Sequence, residues 1–133
     1  MSDGDSDGAA ARTRLAATID TIERAYEYLL AYAAQGRRDD AGTETRATLQ
    51  VLHAALGEIG GLARAAFAAA GPVPDIAAYV DAVEGDARVA RGAVALVLGR
   101  PHIGSLLVDN LNASVHLRAL LTDAFLLDQA LQA

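Results

Sequence analysis

The chain has 133 residues, of which 53% are hydrophobic and 21% charged, and its net charge is −6. No stretch gathers its 11 arginines into a patch, so we expect neither nucleic acid nor an anionic membrane surface as a partner, because both bind clustered positive charge. Cysteine is absent, which excludes disulfides, thiolate nucleophiles and cysteine-bound metals.

The first eight residues, MSDGDSDG, are polar and acidic after the methionine. Such a segment buries too little apolar surface to offset the entropy of ordering it, so we predict a disordered tail at 1–8 and a single domain at 9–133. A signal peptide would carry basic and then apolar residues here. Apolar runs such as 65–70 and 93–98 are far shorter than the roughly 20 residues that cross a bilayer. We therefore expect a cytoplasmic protein.

Two amphipathic helices are predicted in the first half of the chain. From about 9 to 36, apolar residues such as Leu15, Ile22 and Leu29 recur at the spacing of one helix face. The second helix, from about 43 to 70, contains glycines that weaken a helix and therefore predict either close contact with a neighbour or a kink. These glycines are Gly57, Gly60 and Gly61.

Two further helices are predicted after a proline-rich turn. The third runs from about 75 to 98 and ends at Gly99 before Pro101. The fourth, from about 103 to 132, is apolar around most of its circumference. Four helices with short connections favour antiparallel neighbours. We therefore predict an all-α fold, an up-down-up-down antiparallel four-helix bundle.

The fourth helix carries more apolar surface than one internal face can use, which predicts a partner. We expect a non-catalytic protein that acts through protein–protein interaction, as an adaptor, assembly factor or accessory subunit. It would form a homodimer or larger oligomer and bind an unidentified protein. On this helix Asn110 is predicted to face inward, whereas Asn112 and His116 belong to a solvated stripe. The predicted interface residues are Val108, Leu111, Val115, Phe125 and Leu126.

A ferritin-like metal or redox bundle is the alternative. Four side chains fall at roughly one height when residues are counted outward from the loops, and carboxylates with histidine are metal ligands in helical bundles. Most of the four flank the apolar faces, and the Glu-x-x-His spacing of di-iron bundles is absent, so we expect no cofactor. The candidate metal residues are Glu23, Glu58, Glu84 and His116.

A third hypothesis concerns His53. The segment His53-Ala54-Ala55-Leu56-Gly57 resembles histidine phosphotransfer domains, helical bundles that carry an exposed histidine with a glycine four residues later. The resemblance implies that His53 accepts a phosphoryl group, although Leu56 stands where the family usually has lysine. Elsewhere no serine or threonine can be paired with a base and an orienting acid, and no glycine-rich phosphate loop follows a strand. The sequence as a whole favours a protein that is not an enzyme.

Overall fold

The structure, a computed structural model, describes the backbone of residues 3–132 and the side chains of residues 8–132. Over this range the secondary structure is entirely helical, as the sequence predicts, and no helix is long and apolar enough to cross a bilayer. The five helices are α1 (Asp3–Ala33), α2 (Thr45–Ala70), α3 (Ile76–Leu98), α4 (Ser105–Ala113) and α5 (Val115–Gln132).

The core lies between helix faces that the sequence periodicity identifies. Leu15, Ile22 and Leu29 of α1 are fully buried, as are Leu49 and Ile59 of α2. α1 packs along α2 and also contacts α4 and α5, while α3 packs against α2 and α5. Burial of an aliphatic side chain of this size stabilises a fold by about 1.5–3 kcal/mol, so these faces supply most of the attraction between the helices.

The start of α1 differs from the predicted disordered tail. The helix begins at Asp3, and Gly8 is buried against α2, where an added Cβ would collide with the Cβ of Ala69. Glycine allows this close approach, and aspartates suit the positive end of a helix. The prediction of disorder is therefore not supported for residues 3–8, and Met1 and Ser2 lie outside the described residues.

Two of the three glycines in α2 lie in close contact with α3, whereas Gly61 has no such neighbour, and none of them breaks the helix. A Cβ added at Gly60 would lie 2.8 Å from Cγ of Glu84, and one at Gly57 would lie 3.3 Å from Nε of Arg91. α2 remains one continuous helix through both positions. Of the two outcomes that the sequence left open, the structure shows close contact.

The predicted fourth helix is interrupted at Ser114. This residue is extended, with φ −65° and ψ 121°, and its N–H donates to the carbonyls of Asn110 and Leu111. The orientation of the helix faces differs accordingly from the prediction: Asn112 is buried and its Nδ2 donates to the Leu29 carbonyl at 3.1 Å, whereas Asn110 is exposed. The predicted positions of these two asparagines were wrong, because they assumed one uninterrupted helix.

Candidate functional site

One end of the molecule is closed by hydrogen bonds. We call it the tyrosine end; it comprises the C-terminal end of α1 with Tyr28 and Tyr32, the connection 34–44 and the connection 99–104. The Tyr32 hydroxyl donates to the carbonyls of Asp39 and Ile103, and Ser105 Oγ donates to the Tyr32 carbonyl at 2.7 Å. Burial raises the pKa of the Tyr32 phenol. This hydroxyl is therefore a neutral structural donor.

Arg46 ties the tyrosine end to α3. Its guanidinium donates to the carbonyls of Leu98 and Arg100, each at 3.0 Å, and pairs with Asp40 at 3.2 Å. The other oxygen of Asp40 accepts the backbone N–H of Ile103 at 2.9 Å, and this bond is the main reason that the pKa of the Asp40 carboxyl is lowered. These groups hydrogen-bond to one another, which leaves few of their donors and acceptors available to a ligand.

The opposite end of the molecule carries an apolar groove of about 580 Å³. α1, α2, α3, α5 and the 71–75 turn all contribute to it, and among the lining residues whose side chains are described Arg12 supplies the only charge. Leu126, one of its walls, is 60% exposed. We call this feature the apolar groove; it is lined by Arg12, Phe67, Ala70, Val73, Ile76, Tyr79, Leu126, Ala130 and Leu131.

A polar cluster lies beside the apolar groove, between α3 and α5. The Tyr79 hydroxyl donates to the Asp123 carbonyl oxygen of the backbone at 3.2 Å. Burial, followed by a hydrogen bond with Asp86 and its charge, raises the pKa of the Asp123 carboxyl, and burial also raises the pKa of Tyr79. Both groups are therefore poorer acids than in water, and Tyr79 also lines the groove.

The predicted interface residues are divided by the fold. Val108 and Leu111 are buried in the core and cannot contact a partner in this conformation. Val115, Phe125 and Leu126 are exposed, and Leu126 lines the groove. The apolar groove itself has no periodic signal in the sequence, because its walls come from residues far apart in the chain.

The predicted metal residues do not form a site. Glu23, Glu58, Glu84 and His116 belong to four different helices, and in the part of the chain that the structure describes no group of three His, Cys, Asp or Glu residues is placed to hold a metal ion. Glu84 is engaged by Arg64 at 3.2 Å and by Arg88 at 3.5 Å. The geometry gives the ferritin-like alternative no support.

His53 is half-buried on α2 and lies next to a cation from α3. Nε of Arg91 donates to the His53 carbonyl at 3.3 Å, and the same guanidinium covers Gly57. A small groove of about 220 Å³ follows this contact and includes Gly57, Arg88 and Arg91 among its lining residues. α3 thus places a positive charge beside the segment in which Leu56 replaces the lysine of phosphotransfer domains.

Comparison of the chain with protein-family models, with curated proteins and with solved structures finds no match.

Proposed function

We propose that this protein acts without catalysis, by binding a protein partner whose apolar side chains enter the apolar groove. The observation that supports the proposal is the groove itself, an open cavity with apolar walls and an exposed leucine at its rim. Apolar pockets with a polar rim are typical of surfaces that anchor a partner. Tyr79 and Arg12 supply polar groups among its lining residues, and we keep the cytoplasm as the expected compartment.

We also propose that α4 and α5 together act as the fourth helix of an up-down-up-down bundle. Its support is the pattern of neighbours: α1 contacts α2, α2 contacts α3, α3 contacts α5, and both α4 and α5 return to α1. Such an arrangement leaves four helix ends around the apolar groove, and grooves between helix ends are common binding sites in bundles.

The test for the proposed function compares proteins that the wild-type chain and two variants retain from native extract. Leu126→Gln places a polar side chain in the groove, whereas the control Leu30→Gln changes another exposed leucine, on α1 near the tyrosine end. We expect a protein that the wild type and Leu30→Gln retain and Leu126→Gln loses, with binding then reproduced between the purified pair. Retention that is the same for all three chains would contradict the proposal.

A second candidate function is phosphoryl acceptance by His53. The contact between Arg91 and the His53 carbonyl favours it, because it holds a cation near this residue and cations stabilise a bound phosphoryl group. The experiment exposes the purified chain to phosphoramidate and to phosphorylated receiver domains and follows acid-labile phosphate. Phosphorylation lost in His53→Gln and reduced in Arg91→Ala would support this function, and an unmodified wild-type chain would exclude it.

A further inference from the structure

The outer face of α3 carries an apolar stripe that packs against no other helix among the described residues. Its members lie on the side opposite the buried Val83, Ala87 and Val94, and all are exposed except the half-buried Gly85. They recur at alternating steps of four and three, the spacing with which one helix faces another in a coiled coil. We call them the α3 stripe: Ala78, Ala82, Gly85, Val89, Gly92 and Leu96.

Large and small residues alternate along the α3 stripe. Val89 is 48% exposed and Leu96 72% exposed, which is unfavourable for side chains that gain by leaving water. Gly92 lies between these two residues and Gly85 precedes them, and glycine within a helix weakens it. A Cβ built on either glycine would meet no neighbouring side chain or helix among the described residues within 4 Å. Gly57 and Gly60, by contrast, are covered by α3. Close approach of a further helix would account for both the exposed apolar residues and the glycines.

Charge is segregated along the same helix. The acidic residues Asp81, Glu84 and Asp86 all precede the basic residues Arg88 and Arg91. Three of these side chains contact α2 or α5, but those of Asp81 and Arg88 are exposed. A second copy of α3 running in the opposite direction would place the acid of one copy against the base of the other, whereas a parallel copy would place like charges together. Any other helix would need this pattern by coincidence, but a second copy of this chain supplies it by symmetry.

Two charges flank the stripe at a spacing that sets the register. Asp81 and Arg88 are seven residues apart on one edge of the stripe, and their side chains are 65% and 76% exposed. Within the chain Asp81 pairs with Arg64, and Arg88 with Glu84. Both ion pairs are exposed and contribute little to stability. Asp81 and Arg88 can therefore each bind a second partner.

We propose that two copies of this chain associate through their α3 stripes, antiparallel about a two-fold axis, with Asp81 of each copy opposite Arg88 of the other. This register brings Ala82 and Gly85 of the two copies together at the crossing point and sets Val89 against Ala78. The inference rests on the proposed function only in treating the chain as an interaction protein, and it names a second copy as one partner. Its surface lies on α3 and not on the predicted fourth helix.

The first experiment measures the mass of the protein by sedimentation from low to several hundred micromolar. We expect a wild-type dimer and a Gly85→Gln variant that stays monomeric, with helical circular dichroism unchanged because glutamine favours a helix. The matched control is Gly61→Gln on α2, another helical glycine without a described atom within 4 Å of its missing Cβ, which should remain dimeric.

The second experiment exchanges the flanking charges. Asp81→Arg and Arg88→Asp should each weaken the dimer by about tenfold or more, and the chain carrying both changes should recover it. A wild-type monomer at every concentration would overturn the proposal, as would a dimer that Gly85→Gln and both single charge changes leave intact. Leu126→Gln should lose the groove partner and keep the dimer, so failure of the two proposals can be distinguished.

Discussion

Gly71 is required where α2 ends, because its backbone has φ 97° and ψ 174°, a conformation that residues with a Cβ rarely adopt. Gly71→Ala should lower the free energy of unfolding by about 1–3 kcal/mol through backbone strain. The control Gly61→Ala lies within the helix and should raise it by up to about 1 kcal/mol. Urea denaturation of both variants measures the difference, and an equally stable Gly71→Ala chain would show that the turn adopts another conformation.

Asp123 is expected to destabilise the protein at neutral pH. Burial is the first cause that raises the pKa of its carboxyl above the ordinary 3.8, and Asp86 adds to it. The folded state therefore holds this proton more tightly than the unfolded state, and stability decreases as the pH rises from the ordinary value through the raised one.

Asp123→Asn should accordingly increase stability at pH 7 and make no difference once the carboxyl is protonated in both states. Thermal unfolding followed across the acidic range provides the measurement. Asp109→Asn removes the same charge from an exposed position of α4 and serves as the control. A variant less stable than the wild type at pH 7 would contradict the expected sign.

At the scale of elements, the start of α1 is where the sequence predicts disorder and the structure has a helix, and a substitution can distinguish the two. Gly8→Gln places a side chain where Ala69 of α2 leaves no room, so it should cost about 1–3 kcal/mol of unfolding free energy. Ala10→Gln, at an exposed position of the same helix, should stay within about 0.5 kcal/mol. If neither variant changes the stability, residues 1–8 form the disordered tail that their composition predicts.

The helices themselves were largely predictable, and their interruptions were not. The apolar period and the glycine and proline residues place α2 and α3 almost where the structure has them, because both signals act within a few residues along the chain. The break at Ser114 carries no such signal. The bond from Asn112 to the Leu29 carbonyl joins residues distant in sequence, and only the packed molecule shows which asparagine is buried.

At the scale of the whole molecule, the two ends differ in how tightly they are held. Side-chain and backbone hydrogen bonds link the connections at the tyrosine end, whereas the apolar groove at the other end is open. Arg46→Met removes the donors to the Leu98 and Arg100 carbonyls, so it should cost about 1–2 kcal/mol.

Hydrogen exchange would locate that loss. The amide of Ile103 should exchange faster in Arg46→Met, because its acceptor Asp40 loses the guanidinium that holds it. Amides of the 71–75 turn should be unchanged. Arg24→Met, which removes an exposed pair with Asp20 within α1, is the control and should leave both ends as they were. Uniform acceleration along the chain would contradict a local role for Arg46.

The sequence by itself determined the helical class, the core faces of α1, α2 and α3 and the absence of a cysteine-based or strongly basic site, since composition and local periodicity carry that information. Only the tertiary structure decided which predicted interface residues are buried, that the four predicted metal residues do not converge, and where the apolar groove and the α3 stripe lie. The physical reason is that a groove or an uncovered face depends on which helices become neighbours. That choice is made by contacts between residues far apart in the chain.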